Sequence, residues 1–299
     1  MHGLWLLMLW TSAAIFVLVL GFVLVALMRG HRRRDASGPA AQDRPLHRGI
    51  LVSTVISALL LLALLTASVW TGRSIASLRA DQPVSIAVSG HQWWWEFEYE
   101  DPQPSLRVLT ANELHLPLRR PVVLKLASRD VIHSFWTPNL QGKRDLIPGI
   151  TTTLWLQADE AGRFRGQCGE FCGLQHAHMA FDVVVESEAA FERWLDGQRA
   201  PSSPPSTGPA AHGLEIITTR RCGRCHTIRG TDAAGQAAPD LTHFASRVSL
   251  GAGRLPNTAP HRRTWVADPQ ALKPGTQMPA TPLTNEEMTA VLAYLDTLR

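Results

Sequence analysis

The chain has 299 residues, which is enough for about two domains, and its formal net charge is +4. Only three of its basic residues are lysines, Lys125, Lys143 and Lys273, and six arginines fall between residues 29 and 48. An excess of positive charge that is concentrated in one short segment does not indicate nucleic acid as a partner. It indicates membrane topology.

Two windows near the N-terminus, Leu4 to Met28 and Ile50 to Trp70, contain no charged side chain. Each reaches the length of about 20 residues that a helix needs to cross a bilayer core. A buried core helix rarely stays uncharged on every face for that long, and a signal peptide is shorter and has a basic first segment. The sequence therefore predicts a transmembrane helical hairpin over residues 1–75, with helices at about 4–28 and 50–71.

The segment between these windows carries the six arginines against two acidic residues, Asp35 and Asp43. By the positive-inside rule this loop is cytoplasmic, so that everything after Trp70 lies outside. An external domain occupies an oxidising compartment, in which a disulfide is the alternative for any pair of cysteines.

Short strands separated by turn residues are predicted from Pro83 to about Val185, within a domain over residues 80–197. They are Val84–Val88, Trp93–Tyr99, Pro121–Ala127, Thr152–Gln157, Arg163–Gln167 and Phe181–Val185. Many short strands at this spacing favour an all-β sandwich or barrel. A helix is predicted to follow over Glu188–Leu195, with its apolar residues on one face.

The stretch GQCGEFCGLQHAHM, residues 166–179, concentrates soft donor atoms. Cys168 and Cys172 are four residues apart, His176 follows four residues later, and Met179 three after that. Thiolate and thioether ligands select copper, zinc or iron–sulfur, and a structural zinc site uses a closed set of four ligands without methionine. On a β-rich domain this donor set points to electron-transfer copper.

Two cysteines exceed the single one that a mononuclear blue copper site uses with its two histidines. They can instead bridge two copper ions, each of which then takes its own histidine, and the segment Asp130–Trp136 supplies the second histidine at His133. A disulfide between the cysteines is the alternative, but it leaves the nearby histidine and methionine unexplained. His178 has the wrong spacing for a ligand and is expected to be a loop or surrounding residue.

Residues 198–212 are dense in proline, serine, glycine and alanine and predict a semi-extended linker. Residues 213–299 then read as a helical domain that closes with a helix from about Asn285 to Leu298. Thr284 and Glu287 form a capping-box pattern at the start of this helix. Its predicted apolar face consists of Met288, Val291, Leu292 and Leu295.

The motif Cys222-Gly223-Arg224-Cys225-His226 is the C-x-x-C-H pattern of covalent c-type haem attachment. The two cysteines hold the porphyrin vinyl groups, and the histidine reaches the iron from one side. A redox C-x-x-C pair or a disulfide is the alternative, but neither requires the following histidine.

A second axial ligand is expected downstream, where Met278 and Met288 are the only methionines. Met288 falls on the apolar face of the last helix, where packing is the expected role. Met278 lies in the loop Lys273–Pro279, which can point a thioether inward, and methionine ligation raises the potential of an electron-transfer haem. His243 and His261 are the substitutes, although a histidine in a polar loop is more often solvated.

From about Ala211 to the C-terminus the chain resembles a small class I cytochrome c domain. The resemblance rests on CGRCH, on Ala238-Pro239-Asp240-Leu241 and on Met278-Pro279. It implies an all-α domain whose haem c is ligated by His226 and Met278.

The preceding part of the chain resembles subunit II of haem-copper cytochrome c oxidases. The resemblance covers the helical hairpin, Gly90–Trp95, Asp130–Trp136, Lys143–Gly149 and the donor-rich stretch. It implies a cupredoxin-like sandwich holding a binuclear CuA centre and, with the fused haem domain, a caa3-type subunit. The implied location is a bacterial plasma membrane, with both cofactor domains on the periplasmic side. The implied partners are oxidase subunit I, other oxidase subunits and an external donor such as cytochrome c or a bc1-type complex.

The same resemblance gives roles to six residues of the copper site. Two thiolates bridge the ions, two histidines each ligate one ion, and a methionine and a backbone carbonyl are weak ligands. In that order these are Cys168 and Cys172, His133 and His176, Met179 and Glu170. The Glu170 side chain is also implied to reach a magnesium ion at the interface with subunit I.

The tryptophan run adds one functional expectation. Trp93 corresponds to the residue at which electrons enter from cytochrome c, whereas Trp94 and Trp95 are expected to pack. The chain departs from the resemblance at His47–Ser53, because family members commonly carry a glutamate there, at the mouth of a proton path.

The sequence thus predicts the subunit through which electrons enter a terminal oxidase. Electrons pass from haem c to CuA and on to subunit I, where oxygen is reduced to water with proton translocation. Two other interpretations stay open: a CuA-containing subunit of a nitric oxide reductase, and a membrane-anchored electron carrier or copper-delivery protein without an oxidase partner.

Overall fold

The structure is a computed structural model that describes residues 2–32, 44–76, 82–220 and 222–299. The chain divides into two compact units, residues 1–77 and 78–299. Most of the predicted arginine-rich loop, residues 33–43, lies outside the described residues.

The first unit consists of two long helices, α1 (His2–Arg32) and α2 (Arg44–Ala76). Within them, Gly3–Arg29 and His47–Ser74 are long and apolar enough to cross a membrane, and none of the most apolar stretch of either helix is buried in protein. Phe22, for example, is 75% exposed. Apolar side chains around the whole circumference suit contact with lipid. The two predicted apolar helices are confirmed, and each extends a few residues beyond its apolar window.

The second unit begins with ten strands in two five-stranded sheets. The first sheet contains β1 (Val84–His91), β2 (Trp94–Tyr99), β3 (Val108–Ala111), β5 (Val122–Ser128) and β8 (Thr152–Leu156). The second contains β4 (Glu113–Pro117), β6 (His133–Thr137), β7 (Gln141–Leu146), β9 (Gly162–Cys168) and β10 (Ala180–Glu186). Their spatial orders are β3-β2-β1-β5-β8 and β4-β10-β9-β6-β7.

The core of this sandwich follows from residues that alternate along each strand. In β2, Trp95, Phe97 and Tyr99 are buried, while the residues between them are partly exposed. The ring of Phe181, from the second sheet, lies 5.3 Å from that of Trp95 and 5.5 Å from that of Phe97, centroid to centroid. Aromatic pairs at this spacing stabilise a core beyond the area they bury. The predicted β-sandwich is confirmed.

Strands β3, β4, β6 and β7 are not among the predicted strands. All five residues of β4 are buried, including Glu113 and His115, so the strand lacks alternation. Strand β7 is a polar edge strand, and three of its six residues are exposed. His133, in the segment Asp130–Trp136, is the first residue of β6.

The chain leaves the sandwich through α3 (Glu188–Arg199), which buries Phe191 and Leu195. This helix continues four residues past its predicted end. The next helix, α4 (Gly208–Thr219), begins inside the predicted linker, because Pro209 fits the first helical turn and alanines follow it. The irregular connection is therefore residues 200–207, shorter than the predicted 198–212.

The remaining domain is mainly helical. It contains α5 (Cys222–Cys225), the ribbon of β11 (Ser249–Leu250) and β12 (Leu255–Pro256), α6 (Ala259–Ala267), α7 (Pro269–Leu272) and α8 (Asn285–Leu295). The predicted capping box is present, since Thr284 Oγ1 accepts from the Glu287 amide at 3.2 Å and Glu287 Oε2 accepts from the Thr284 amide at 2.8 Å. The last helix ends at Leu295, before the predicted Leu298.

Gly213 lies where α4 and α8 approach most closely. A Cβ atom there would lie 2.1 Å from the backbone oxygen of Ala290 and 2.9 Å from Cβ of Tyr294. Because a helical carbonyl cannot swing away, Gly213→Ala is expected to force the helices apart and lower the free energy of unfolding by about 1–3 kcal/mol. Thermal unfolding followed by circular dichroism checks this.

The matched control is Gly197→Ala in α3, where an added Cβ meets nothing within 4 Å. Alanine is the better helix former, so this change is expected to stabilise the protein by up to about 1 kcal/mol. Equal unfolding temperatures for the two variants would contradict the close approach of α4 and α8.

Candidate metal centre and haem cleft

The donor-rich stretch connects two neighbouring strands of the second sheet. It leaves β9 at Cys168, passes through a short 3₁₀ turn at His176–His178 and enters β10 at Ala180. Cys168 and Cys172 are each only 2% exposed. The antiparallel pairing of β9 and β10 therefore folds the soft donors back into one loop, with both cysteine side chains buried.

The two cysteine sulfurs are 3.8 Å apart. A disulfide needs about 2.05 Å, so both thiols are free. At this separation both sulfurs can contact one ion at a metal–thiolate distance of about 2.3 Å, as found for zinc. The pair fits a bridging role.

The other predicted donors divide between the two sulfurs. Beside Cys168 lie His133 Nδ1 at 3.9 Å and the backbone oxygen of Glu170 at 3.2 Å. Among the described residues, one group of His, Cys, Asp and Glu side chains could hold a metal, namely His133 with the two cysteines, whose ligand atoms lie within 4.8 Å of one another.

Beside Cys172 lie His176 Nδ1 at 3.6 Å and Met179 Sδ at 3.7 Å. Each sulfur is thus accompanied by one imidazole and one weaker donor. The residues fit a pair of soft metal ions better than a single ion, because one ion would leave part of this set unused.

Asp130 orients the histidine that comes from outside the loop. Its Oδ1 lies 2.7 Å from His133 Nε2, and because a carboxylate only accepts, Nε2 carries the proton and Nδ1 stays free to bind metal. Burial opposes a charge on this ring, but hydrogen bonds to Cys168 and Asp130 outweigh it and raise the pKa of His133. Asp130 is not among the predicted site residues, although an acidic residue three positions before a predicted ligand histidine is a signal for this role.

The two thiols titrate as a pair. The hydrogen bond from Cys172, opposed by burial, lowers the pKa of Cys168, and the same interaction raises the pKa of Cys172. One thiolate is therefore stabilised before any metal binds. A metal ion then needs to displace only the second proton.

The Glu170 side chain points away from this chemistry. Its Oε2 lies 3.7 Å from Lys143 Nζ, and the carboxylate is about half exposed. It belongs to no metal-ligating cluster within the part of the chain that the structure describes.

The three tryptophans have different surroundings. Trp93 is 9% exposed, and its indole Nε1 donates to the backbone oxygen of Cys172 at 2.9 Å. Trp94 stacks on His91 with ring centroids 4.2 Å apart, and Trp95 lies in the aromatic core. Trp93 is thus the tryptophan that contacts the backbone of a candidate bridging cysteine through its side chain.

A cleft of about 510 Å³ opens in the helical domain against Trp93 and Trp94. This volume lies in the usual range for cofactor sites. The four predicted haem residues all line it: Cys222, Cys225, His226 and Met278. Its other walls are largely apolar and include Phe244, Leu250, Trp265 and Val291. The donor set and the apolar walls fit a covalently attached haem.

His226 has one ring nitrogen engaged by the backbone and the other free for a metal. Its Nδ1 lies 2.7 Å from the backbone oxygen of Pro239, so Nδ1 carries the proton and Nε2 is left free. Burial lowers the pKa of His226, which favours the neutral, metal-binding ring. On the Met278 loop, Gln270 Nε2 donates to the backbone oxygens of Thr276 and Met278 at 2.6 and 2.7 Å.

The substitutes for Met278 do not line the cleft. The two ring nitrogens of His243 face backbone oxygens of Arg299 and Ala200, at 2.8 and 3.1 Å. His261 lies against Pro256, 3.1 Å from its backbone oxygen. Met288 is buried in α8, in agreement with the predicted packing role.

Comparison with known proteins gives matches over both cofactor domains. The family described as cytochrome C oxidase subunit II, periplasmic domain, matches residues 102–188, and the cytochrome c family matches residues 210–299. A cytochrome c oxidase subunit 2 of Alkalihalophilus pseudofirmus is 33% identical over 96% of this chain and 83% of its own length. One from Bacillus sp. strain PS3 is 32% identical over 85% of this chain and 75% of its own length.

Among solved structures, the periplasmic domain of subunit II of cytochrome oxidase from Bradyrhizobium japonicum is 29% identical, with a TM-score of 0.37. The similarity covers 40% of this chain and 95% of that one.

Proposed function

The chain belongs to the family of cytochrome c oxidase subunit 2, and from this premise we propose that it is the caa3-type subunit through which electrons enter a terminal oxidase. As a family member it is a component of a membrane-bound oxidoreductase complex and associates with subunit I. The family matches imply copper in the sandwich and haem c in the C-terminal domain.

The proposed route takes electrons from an external donor to haem c, then to CuA, and then to the haem-copper centres of subunit I, where oxygen is reduced to water with proton translocation. When bound, haem and copper supply the one-electron redox chemistry that side chains lack. The observation that carries the proposal is the position of Trp93. It lines the haem cleft and also donates a hydrogen bond to the backbone of Cys172.

Each site residue has one task in this proposal. Cys222 and Cys225 attach haem c, and His226 and Met278 are its axial ligands. The six donors around the two bridging sulfurs hold CuA: His133, Cys168, Glu170 through its carbonyl, Cys172, His176 and Met179. Trp93 provides the path between the two sites.

The attached domain, and not a free cytochrome, is the proposed immediate donor to CuA. The predicted semi-extended linker is held to the haem domain by hydrogen bonds. The Arg229 guanidinium donates to the backbone oxygens of Gln198 and Arg199, and the Ser202 amide donates to the Arg229 oxygen at 2.9 Å. With the haem domain in this position, Trp93 is covered. An external cytochrome can therefore reduce haem c but cannot touch Trp93.

The proposed topology places both cofactor domains on the periplasmic side of a bacterial plasma membrane. The two apolar helices and the match to a periplasmic domain fit a membrane protein with an outside domain. A magnesium ion at the subunit I interface would need ligands from subunit I, since Glu170 pairs with Lys143 here. The stretch His47–Ser53 contains no glutamate, so the proton entry that the family commonly has there is not part of this proposal.

The test is a joint optical and EPR spectrum of the purified oxidase. We expect a low-spin haem c and a copper signal whose hyperfine pattern shows one electron shared by a pair of ions. A single zinc ion, or a disulfide between Cys168 and Cys172, would refute the copper assignment. Turnover with oxygen, and not with nitric oxide, separates the oxidase from the nitric oxide reductase alternative, and the relatives described above favour the oxidase.

A further inference from the structure

Lys273 is almost completely buried, at 2% exposure, although lysine is rarely buried without partners. It follows α7 and lines the haem cleft where the cleft meets Trp93. Its Nζ donates to three backbone oxygens, those of Trp93 at 2.7 Å, His178 at 2.8 Å and Gly251 at 2.8 Å. Two of these acceptors belong to the β-sandwich domain and one to the haem domain.

The geometry suits the charged amine. An ammonium group has three N–H donors and no acceptor, and here it meets three oxygens that can only accept. Burial lowers the pKa of Lys273 to about 7, which reflects the cost of removing the charge from water. Three directed hydrogen bonds offset that cost, and a carbonyl deprived of this partner would be left buried and unpaired.

The positions of these groups connect the two cofactor sites. Lys273 stands five residues before Met278 in the same loop. Its acceptor Trp93 forms a wall of the haem cleft, and its acceptor His178 lies between the copper donors His176 and Met179. One ammonium group thus joins the axial-ligand loop of the haem to the turn that carries copper ligands.

A glutamine from the copper loop reinforces this junction. Gln175 is buried, and its Nε2 donates to the backbone oxygen of Pro274 at 2.7 Å. Its Oε1 lies 2.9 Å from His178 Nδ1, which holds the amide in that orientation. Two adjacent residues of the haem loop, Lys273 and Pro274, are therefore bonded to the copper loop, at His178 and Gln175.

A second set of contacts lies along residues 248–252. The Ala180 amide donates to the Ala252 oxygen at 3.0 Å, the Val248 amide donates to Glu113 Oε2 at 3.1 Å, and Ser249 Oγ donates to a carboxylate oxygen of Asp182. The two domains are thus joined by directed hydrogen bonds at separate points, as expected of a single docked orientation.

We propose that Lys273 is a positioning residue that locks the haem domain onto the β-sandwich and fixes the separation between haem c and CuA. The inference rests on the proposed function. With both groups bound, the step concerned would be the transfer of one electron from haem c to CuA, without proton transfer. The rate of such a step depends steeply on the separation, so a fixed orientation serves it better than a tether that only raises effective concentration.

The first test compares the wild-type oxidase with Lys273→Met, which keeps the length of the side chain and removes its donors. We expect electron transfer from haem c to CuA to slow at least about tenfold, while reduction of haem c by the external donor is unchanged. Pulsed EPR should give a narrow haem–copper distance distribution in the wild type and a broad one in the variant. The control is Lys125→Met, an exposed lysine on β5 paired with Glu100, which should change neither quantity.

The second test is hydrogen exchange of the full chain, which needs no cofactor. The amides of Ala180 and Val248 should exchange at least about tenfold faster in Lys273→Met. Ser249→Ala, which removes a single docking bond, should accelerate them less. Unchanged exchange in Lys273→Met, or a broad distance distribution in the wild type, would overturn the lock. Absence of CuA or haem c from the wild type would instead refute the proposed function. The hydrogen-exchange rates would still test whether Lys273 holds the haem domain against the β-sandwich.

Discussion

Replacing Cys168 by serine is expected to abolish the proposed binuclear copper centre and, with it, the proposed electron delivery to subunit I. The Cys168 sulfur lies 3.8 Å from that of Cys172, and His133 and the Glu170 carbonyl accompany it. A serine hydroxyl is a harder donor that stays protonated near neutral pH, so it cannot bridge soft ions.

The loss of copper affinity should be large. Even the replacement of a residue that only hydrogen-bonds to a metal ligand typically lowers metal affinity by about 10–100-fold. We expect copper affinity to fall by more than about 100-fold and oxygen consumption to fall to the background rate. Metal analysis and EPR of the purified oxidase measure the first quantity, and an oxygen electrode measures the second. The control is Ala177→Ser, which adds a hydroxyl to an exposed position of the same loop without removing a donor. A retained signal from a copper pair in Cys168→Ser would contradict the bridging role.

The second large effect is expected in the double variant Cys222→Ala and Cys225→Ala, which cannot attach haem c. The copper donors lie in the other domain, so CuA should still assemble. Turnover with a reduced external cytochrome should nevertheless fall at least about tenfold, since Trp93 stays covered by the docked domain.

The control for this variant is direct reduction of CuA by a small chemical reductant, which should proceed as in the wild type. Stopped-flow absorbance at the copper band follows both reactions. Turnover that persists unchanged with the cytochrome would show that an external protein reaches CuA directly. The attached domain would then not be the immediate donor.

The sequence by itself determined the features that depend on short spacing. An uninterrupted apolar window suffices to predict a helix such as α1, and alternation suffices to predict a strand such as β2. The donors from Cys168 to Met179 and the haem motif at Cys222–His226 are local patterns, because neighbouring ligands are held by a few residues of backbone. The capping box of α8 is local for the same reason, and it is present as predicted.

The tertiary structure decided everything that depends on which distant segments meet. It placed the polar strand β7 at a sheet edge and brought His133, with Asp130 behind it, from another strand to the cysteines. It also put Lys273 against the backbone of Trp93, 180 residues away in the chain. Every residue has a backbone carbonyl, so the sequence does not show which carbonyls accept a hydrogen bond from a side chain. A lysine that binds three of them therefore cannot be told from a solvated lysine by sequence. Only the packing of the two domains against each other distinguishes it, because burial and hydrogen-bond partners belong to the folded chain and not to local spacing.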